Sequence, residues 1–139
     1  MLAASVDKVP RFTELALKLN VNDWAFTIDG TQSGSTLTNT TPVPDLAALL
    51  YVGCNADGSD PFKGQLDEIR ISNIARWTGN FTPPIKAYNS DSNTKLLIHC
   101  GETKTGTTGI GATFTDSGAT GHVFTENGNA IEDTVNYKF

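Results

Sequence analysis

The feature that most constrains this chain is a two-residue period, interrupted twice within twenty residues by turn formers. In 14-ELALKLNV-21, Leu15, Leu17, Leu19 and Val21 alternate with polar or small residues, and in 24-WAFTIDG-30, Trp24, Phe26 and Ile28 do the same. Successive side chains on a strand point to opposite faces, so the alternation describes two half-buried strands and not an amphipathic helix. Only Asn22-Asp23 separates the runs, which predicts a hairpin with Trp24, Phe26 and Ile28 on its core face. Asp29-Gly30 then supplies a turn able to take positive φ.

The same pattern continues along the chain. Residues 36–44 predict a polar, Thr-rich strand followed by an irregular turn, with Pro42 and Pro44 keeping the segment off a central strand position. A strand apolar on both faces is expected at 49-LLYVG-53, then a turn-rich loop at 54-CNADGSDP-61, then a strand at 64-GQLDEIRIS-72. Asn73 reads as the N-cap of about one helical turn in 73–81, with Trp77 and Phe81 folding back onto the sheet edge and Pro83-Pro84 ending the element. Residues 86–95 read as a linker, 96-LLIHC-100 as a strand and 101–111 as a loop. A short strand at 112–117, a hairpin over 122–132 turning at Asn127-Gly128, and a last strand at 135–139 complete the chain. Short strands with turn signals at such spacing predict an all-β fold, an antiparallel β-sandwich of jelly-roll type. Composition agrees: charged residues make up only 18%, and much of the uncharged polar content is Thr, which suits the solvent face of a strand. At 139 residues one domain is expected.

The net charge of −5 and the singly scattered Lys and Arg argue against a nucleic-acid partner, which needs a basic patch. No apolar run reaches membrane-spanning length, and 1-MLAASVDKVP-10 has neither the basic nor the apolar region of a secretory signal peptide. The expectation is a protein that stays in the cytosol or leaves inside an assembled particle. Cys54 and Cys100 have no Cys or His neighbours at zinc-ligand spacing and are expected to be buried free thiols.

The run 50-LYVGCNADGSDPFKGQLDEIRISNIARWTGNFTPP-84 resembles the closing segment of a laminin-G-like, concanavalin A-like jelly-roll domain. That segment typically carries Leu-Tyr-Ile-Gly, a Gly/Asp loop, Phe-x-Gly, Ile-Asp-Glu-Val-Arg-Ile-Ser, and Ala-Arg-Trp-Thr-x-Asn-Phe-Thr-Pro-Pro. Upstream, 15-LALKLNVNDWAFTIDG-30 is similar to the strand pair before it, with Asp29-Gly30 in place of the usual Asn-Gly. The segment 94-TKLLIHCGET…TFTDSG…YKF-139 resembles the opening of the same kind of domain, with Cys100-Gly101 in place of its Phe-Asp step. Residues 12–85 thus look like the closing half of one repeat and 96–139 like the opening part of the next. This phase shift is compatible with a circular permutation, with a sandwich completed by strands from a neighbour, or with a small reduced sandwich. A compact sandwich that assembles with neighbours is the favoured reading.

Candidate chemistry is sparse. Asp67 and Glu68 are adjacent, so on a strand they point to opposite faces and cannot flank one glycosidic bond; a structural role, with loop amides or Arg70, is expected. His99 and His122 lack a nucleophile tied to them by a motif, and no catalytic residue is assigned. A weak calcium site is conceivable at Asp57 and Asp60, whose loop offers hard oxygen ligands. A weak glycan site would use Trp77 or Tyr51 as a stacking platform with Asn55 and Asp57 as hydrogen-bonding partners. The sequons at Asn39 and Asn80 matter only in a eukaryotic secretory setting.

Domains with this closing motif and a fresh Leu-Leu-x-His start resemble proteins of tailed bacteriophages. The resemblance implies a non-enzymatic virion structural protein, a capsid decoration or tail/fibre component, with host-surface glycan adhesion as an added role. It implies other virion proteins and copies of the chain itself as partners, a trimer first among the oligomers. The alternative is a carbohydrate-binding, lectin-like module of an extracellular bacterial protein; a glucanase-like hydrolase comes third.

Overall fold

The computed structural model describes residues 14–44, 47–100 and 114–125. Among them every regular element is a strand: β1 (Leu15–Asn20), β2 (Asp23–Ile28), β3 (Thr31–Thr38), β4 (Ile69–Ser72) and β5 (Thr94–Ile98). They build an antiparallel three-stranded sheet in the order β1-β2-β3 and an antiparallel pair β4-β5. The all-β, antiparallel architecture is the expected one.

The first sheet follows from the alternation. β1 pairs with β2 from Leu15↔Ile28 to Asn20↔Asp23, leaving Val21-Asn22 as the connecting residues. Val21 there adopts φ 58. At the other end Asp29 (φ 49) and Gly30 (φ 74) form the expected two-residue turn, both left-handed as a type I′ hairpin requires. Asp29 also closes the base of β1: its amide donates to the Glu14 carbonyl (2.8 Å) and its Oδ1 accepts from the Glu14 amide (2.9 Å). A Cβ on Gly30 would lie 1.9 Å from the Phe81 carbonyl oxygen, because the Phe81 amide donates to Gly30 O (2.8 Å) and holds the strap 78–83 against the turn.

β3 begins at Thr31, earlier than the expected 36, because the sheet absorbs an irregularity that alternation alone does not signal. The register slips opposite Ala25, between Trp24 and Phe26, and Gly34 sits in the slipped stretch at φ 78. The Gln32 side chain spans it, donating to Gly34 O (3.1 Å) and Thr36 Oγ1 (3.2 Å).

The two faces of this sheet are not used as expected. Paired residues share a face, so Leu15, Leu17, Leu19, Trp24, Phe26, Ile28 and Leu37 lie together. That apolar face is largely open, with Leu17 67% exposed, while Ala25 and Thr27 on the opposite face are buried. Lys18, on the buried side, donates to Thr78 O (2.9 Å), so the strap approaches the small-residue face. Trp24, Phe26 and Ile28 do share a face, but it is not the core.

The core lies at β5, where Leu96, Leu97 and Ile98 are buried together with Thr94. β4 pairs with β5 from Ile69↔Ile98 to Ser72↔Thr94, with an irregularity at Ile71/Ser72. Of the strand expected over 112–117, only residues 114–117 are described, and there Asp116 forms a single antiparallel bridge with Ile98.

Three further expectations are corrected. Residues 49–53 form no strand: Leu49 and Leu50 are exposed, and Gly53 (φ 82) instead accepts from the Phe62 amide (2.7 Å) to close the loop 53–62. Residues 64–68 are not extended into β4, because Glu68 takes φ 53 and turns its carboxylate inward. Residues 73–81 make no helical turn: the segment is an irregular, bent one, tied at its ends by the Asn73 amide to Asn93 O (3.0 Å) and by the Phe81 amide to Gly30 O. The linker-like stretch 86–95 is pinned, since Arg76 forms a bidentate pair with Asp91 (2.6 and 2.7 Å). The loop expected at 101–111, the hairpin turn at Asn127-Gly128 and the strand at 135–139 lie outside the described residues.

Candidate functional site

The loop 54–61 is built by its own polar residues. The Asn55 amide donates to Ser59 O (3.0 Å), the Gly58 amide to Asn55 O (2.9 Å), and Asp57 Oδ1 accepts from the Ser59 amide (2.9 Å). Asn55 Nδ2 donates to Asp60 Oδ2 (3.0 Å) and Ser59 Oγ (3.2 Å). The hydrogen bonds from Ser59 lower the Asp57 carboxyl below its ordinary range. Gly58 (φ 79) and Asp60 (φ 50) provide the left-handed corners of the turn. Asn55 and Asp60 are thus brought together, whereas Asp57 is spent on Ser59. Among the described residues no group of three or more His, Cys, Asp or Glu side chains is arranged to hold a metal. Tyr51 stands at the start of this region, 40% exposed.

Trp77 belongs to a different constellation. Its ring stacks on Phe81 at 3.9 Å and 9°, and the Arg70 guanidinium lies 5.4 Å from its centroid. Arg70 sits closer still over Tyr88, at 3.7 Å. One face of the Trp77 indole is therefore occupied by Phe81. The Tyr88 hydroxyl donates to Glu14, and burial, reinforced by that carboxylate, pushes the phenol well above its usual range. Burial likewise draws the Arg70 guanidinium downward, opposed by Tyr88.

Glu68 is the pivot between these rings and β5. Its Oε2 accepts from the Tyr88 amide (2.7 Å), and its Oε1 meets His99 Nδ1 at 2.5 Å. The Glu68 side chain is 5% exposed and that of His99 12%. Neighbouring Asp67 accepts from the Glu68 amide (2.8 Å) and the Cys100 amide (3.3 Å). The described partners of these carboxylates are loop amides and a histidine. Each oxygen named accepts from a protein donor. Cys54 and Cys100 form no disulfide, and both are half-buried.

A second carboxylate–histidine unit was not read from the sequence as a constellation. Asp116, its side chain fully buried, accepts from the amides of Leu97 (2.9 Å), Gly118 (2.7 Å) and His122 (2.9 Å), and its Oδ2 meets His122 Nδ1 at 2.7 Å. Burial alone would raise its pKa. The amides of His122 and Leu97, the His122 ring and the Gly118 amide more than offset this, so the carboxyl lies far below the usual range. The signal for it was local: Asp116-Ser117-Gly118 is a turn tripeptide after an alternating run.

Both sequons are used structurally: Asn39 Oδ1 accepts from the Thr41 amide (2.9 Å) and Asn80 Oδ1 from the Gln32 amide (2.9 Å). A family model described as the concanavalin A-like lectin/glucanases superfamily matches residues 3–78, more than half of the sequence. No curated protein and no solved structure matches.

Proposed function

The chain belongs to the concanavalin A-like lectin/glucanases superfamily, and on that premise we propose that it is a non-enzymatic structural protein of a tailed-bacteriophage virion, a capsid decoration or tail/fibre component. The observation that carries the non-enzymatic reading is Glu68, held by the His99 ring and the Tyr88 amide. The acidic residues of the closing motif hold loops in place where a hydrolase of this superfamily would present them to a substrate. The virion assignment rests on the likeness of 50–84 and 94–139 to phage repeats. Its partners are then other virion proteins and further copies of the chain.

A lectin-like reading is favoured by one feature, the half-exposed Tyr51 beside the exposed loop that carries Asn55 and Asp57. In the virion reading the same residues would give host-glycan adhesion; in the extracellular reading they would serve a carbohydrate-binding module. Calcium at Asp57 and Asp60 would share these carboxylates with the Ser59 and Asn55 bonds, which use Asp57 Oδ1 and Asp60 Oδ2.

Immunogold labelling of the tailed particles that encode the chain is the direct test. Label on capsid or tail is expected. Particles free of label, combined with glycan-array binding that Tyr51→Ala abolishes, would replace the virion reading with the lectin reading. Turnover of a β-glucan that Glu68→Gln eliminates would overturn both.

A further inference from the structure

Among the described residues, the outer face of the β1-β2-β3 sheet is an exposed apolar surface. Cross-strand pairing sets Leu15 beside Ile28, Leu17 beside Phe26, and Trp24 beside Leu37. The exposures are 63% for Leu15, 67% for Leu17, 39% for Phe26, 40% for Ile28 and 64% for Leu37. Soluble monomers rarely leave so contiguous an apolar patch in water.

The charges of β1 and β2 are segregated to the other side. Lys18 pairs with Ala25 and Asp23 with Asn20, positions that alternate with the apolar set, and Lys18 is spent on Thr78 O. β3 carries no charged residue at all. The face is thus neutral from edge to edge and offers nothing to a charged partner, while a copy of itself can cover it without desolvating an ion.

We propose that two copies of this chain pack these faces together, sheet on sheet, about a two-fold axis. Taking whole apolar side chains at roughly 150–200 Å² each, the exposed parts of the five residues come to about 500 Å² per copy, and two faces reach about 1,000 Å², the lower edge of a specific interface. The geometry is that of a sandwich, in which two sheets lie about 10 Å apart with side chains from both inner faces between them. Among the described residues the strands outside this sheet are β4 and β5, of 4 and 5 residues, too short to supply that opposing layer. The contact is isologous, with each Leu17 near the axis meeting the partner's face. The proposal stands whether or not the chain is a virion component.

The test is light scattering of the full chain across a concentration series, with Leu17→Lys as the probe and Val123→Lys, an exposed position outside this sheet, as the control. Wild type and Val123→Lys are expected at twice the monomer mass of 14.8 kDa. Leu17→Lys keeps the wild-type circular dichroism spectrum, because its site is solvent-facing in the monomer. It raises the dimer dissociation constant by at least about 100-fold, because a charge enters the buried centre of each apposed face. A wild-type chain that remains monomeric, and so covers the face with its own remaining residues, overturns the proposal. So does a Leu17→Lys dimer as tight as wild type, or a trimer, whose ring contact cannot set one patch against itself.

Discussion

At the residue scale, stability is concentrated in a few positions where the backbone departs from ordinary strand geometry. Val21 is the strained one. A β-branched side chain at φ 58 crowds its own backbone, and at 85% exposure Val21 gains no packing in return. Val21→Gly should therefore stabilise the chain by about 1 kcal/mol, read as a raised denaturation midpoint with an unchanged slope. A neutral or destabilising result would mean that the hairpin turn is not seated as described. Glu68, also left-handed at φ 53, is the opposite case, since its strain aims a carboxylate at His99 and Tyr88. The sequence shows Asp67-Glu68 plainly. It does not show that the strand starts one residue after them, because a local φ inversion leaves no trace in alternation.

At the element scale, the β1-β2 hairpin and the Asp29-Gly30 turn were legible because their determinants are local: period two on each side and a dipeptide that tolerates left-handed backbone. β3 was legible only in its last three residues, 36–38, because the part before them depends on Gln32 spanning the irregularity at Gly34. The failure at 49–53 has another cause. Apolar, β-prone residues make a strand only where a partner supplies the ladder, and Leu49 and Leu50 have none here among the described residues. The glycine in the β2-β3 turn carries a prediction at this scale. Gly30→Ala should cost about 2 kcal/mol or more in a thermal or chemical melt, since its Cβ would collide with the Phe81 carbonyl and the site is at φ 74. Because the strap 78–83 hangs from that turn, the Trp77 fluorescence environment should change as well. A variant as stable as wild type would show that the strap is not anchored there.

At the scale of the whole molecule, remote segments are joined by carboxylates more than by strand ladders: Glu14 to Tyr88, Glu68 to His99, Arg76 to Asp91, Asp116 to Leu97 and His122. Asp116 and Asp91 both titrate below their unfolded values. Such groups add stability above their unfolded pKa, about 3.9, and lose it as pH falls toward the folded value. The expected profile is flat from neutrality to about pH 5 and falls steeply below pH 4. Asp116→Asn should lower the neutral plateau by about 1–3 kcal/mol and shallow the acid limb. An acid limb identical to wild type would remove Asp116 from the account.

The separation of β4 from β5 also bears on how the chain is made. β1, β2 and β3 are consecutive and joined by two-residue turns, so they can close as soon as they leave the ribosome. β4 ends at Ser72 but cannot pair until Thr94 and the residues after it emerge, roughly one to several seconds later at ~5–20 residues per second. Throughout that interval the nascent chain displays the Leu15–Leu17–Phe26 surface with no core beneath it to lend stability. The order of emergence thus lets this meander fold, and become adhesive, ahead of the β4-β5 pair, and crowding of ribosomes on one message would bring such pieces together before either pair is closed.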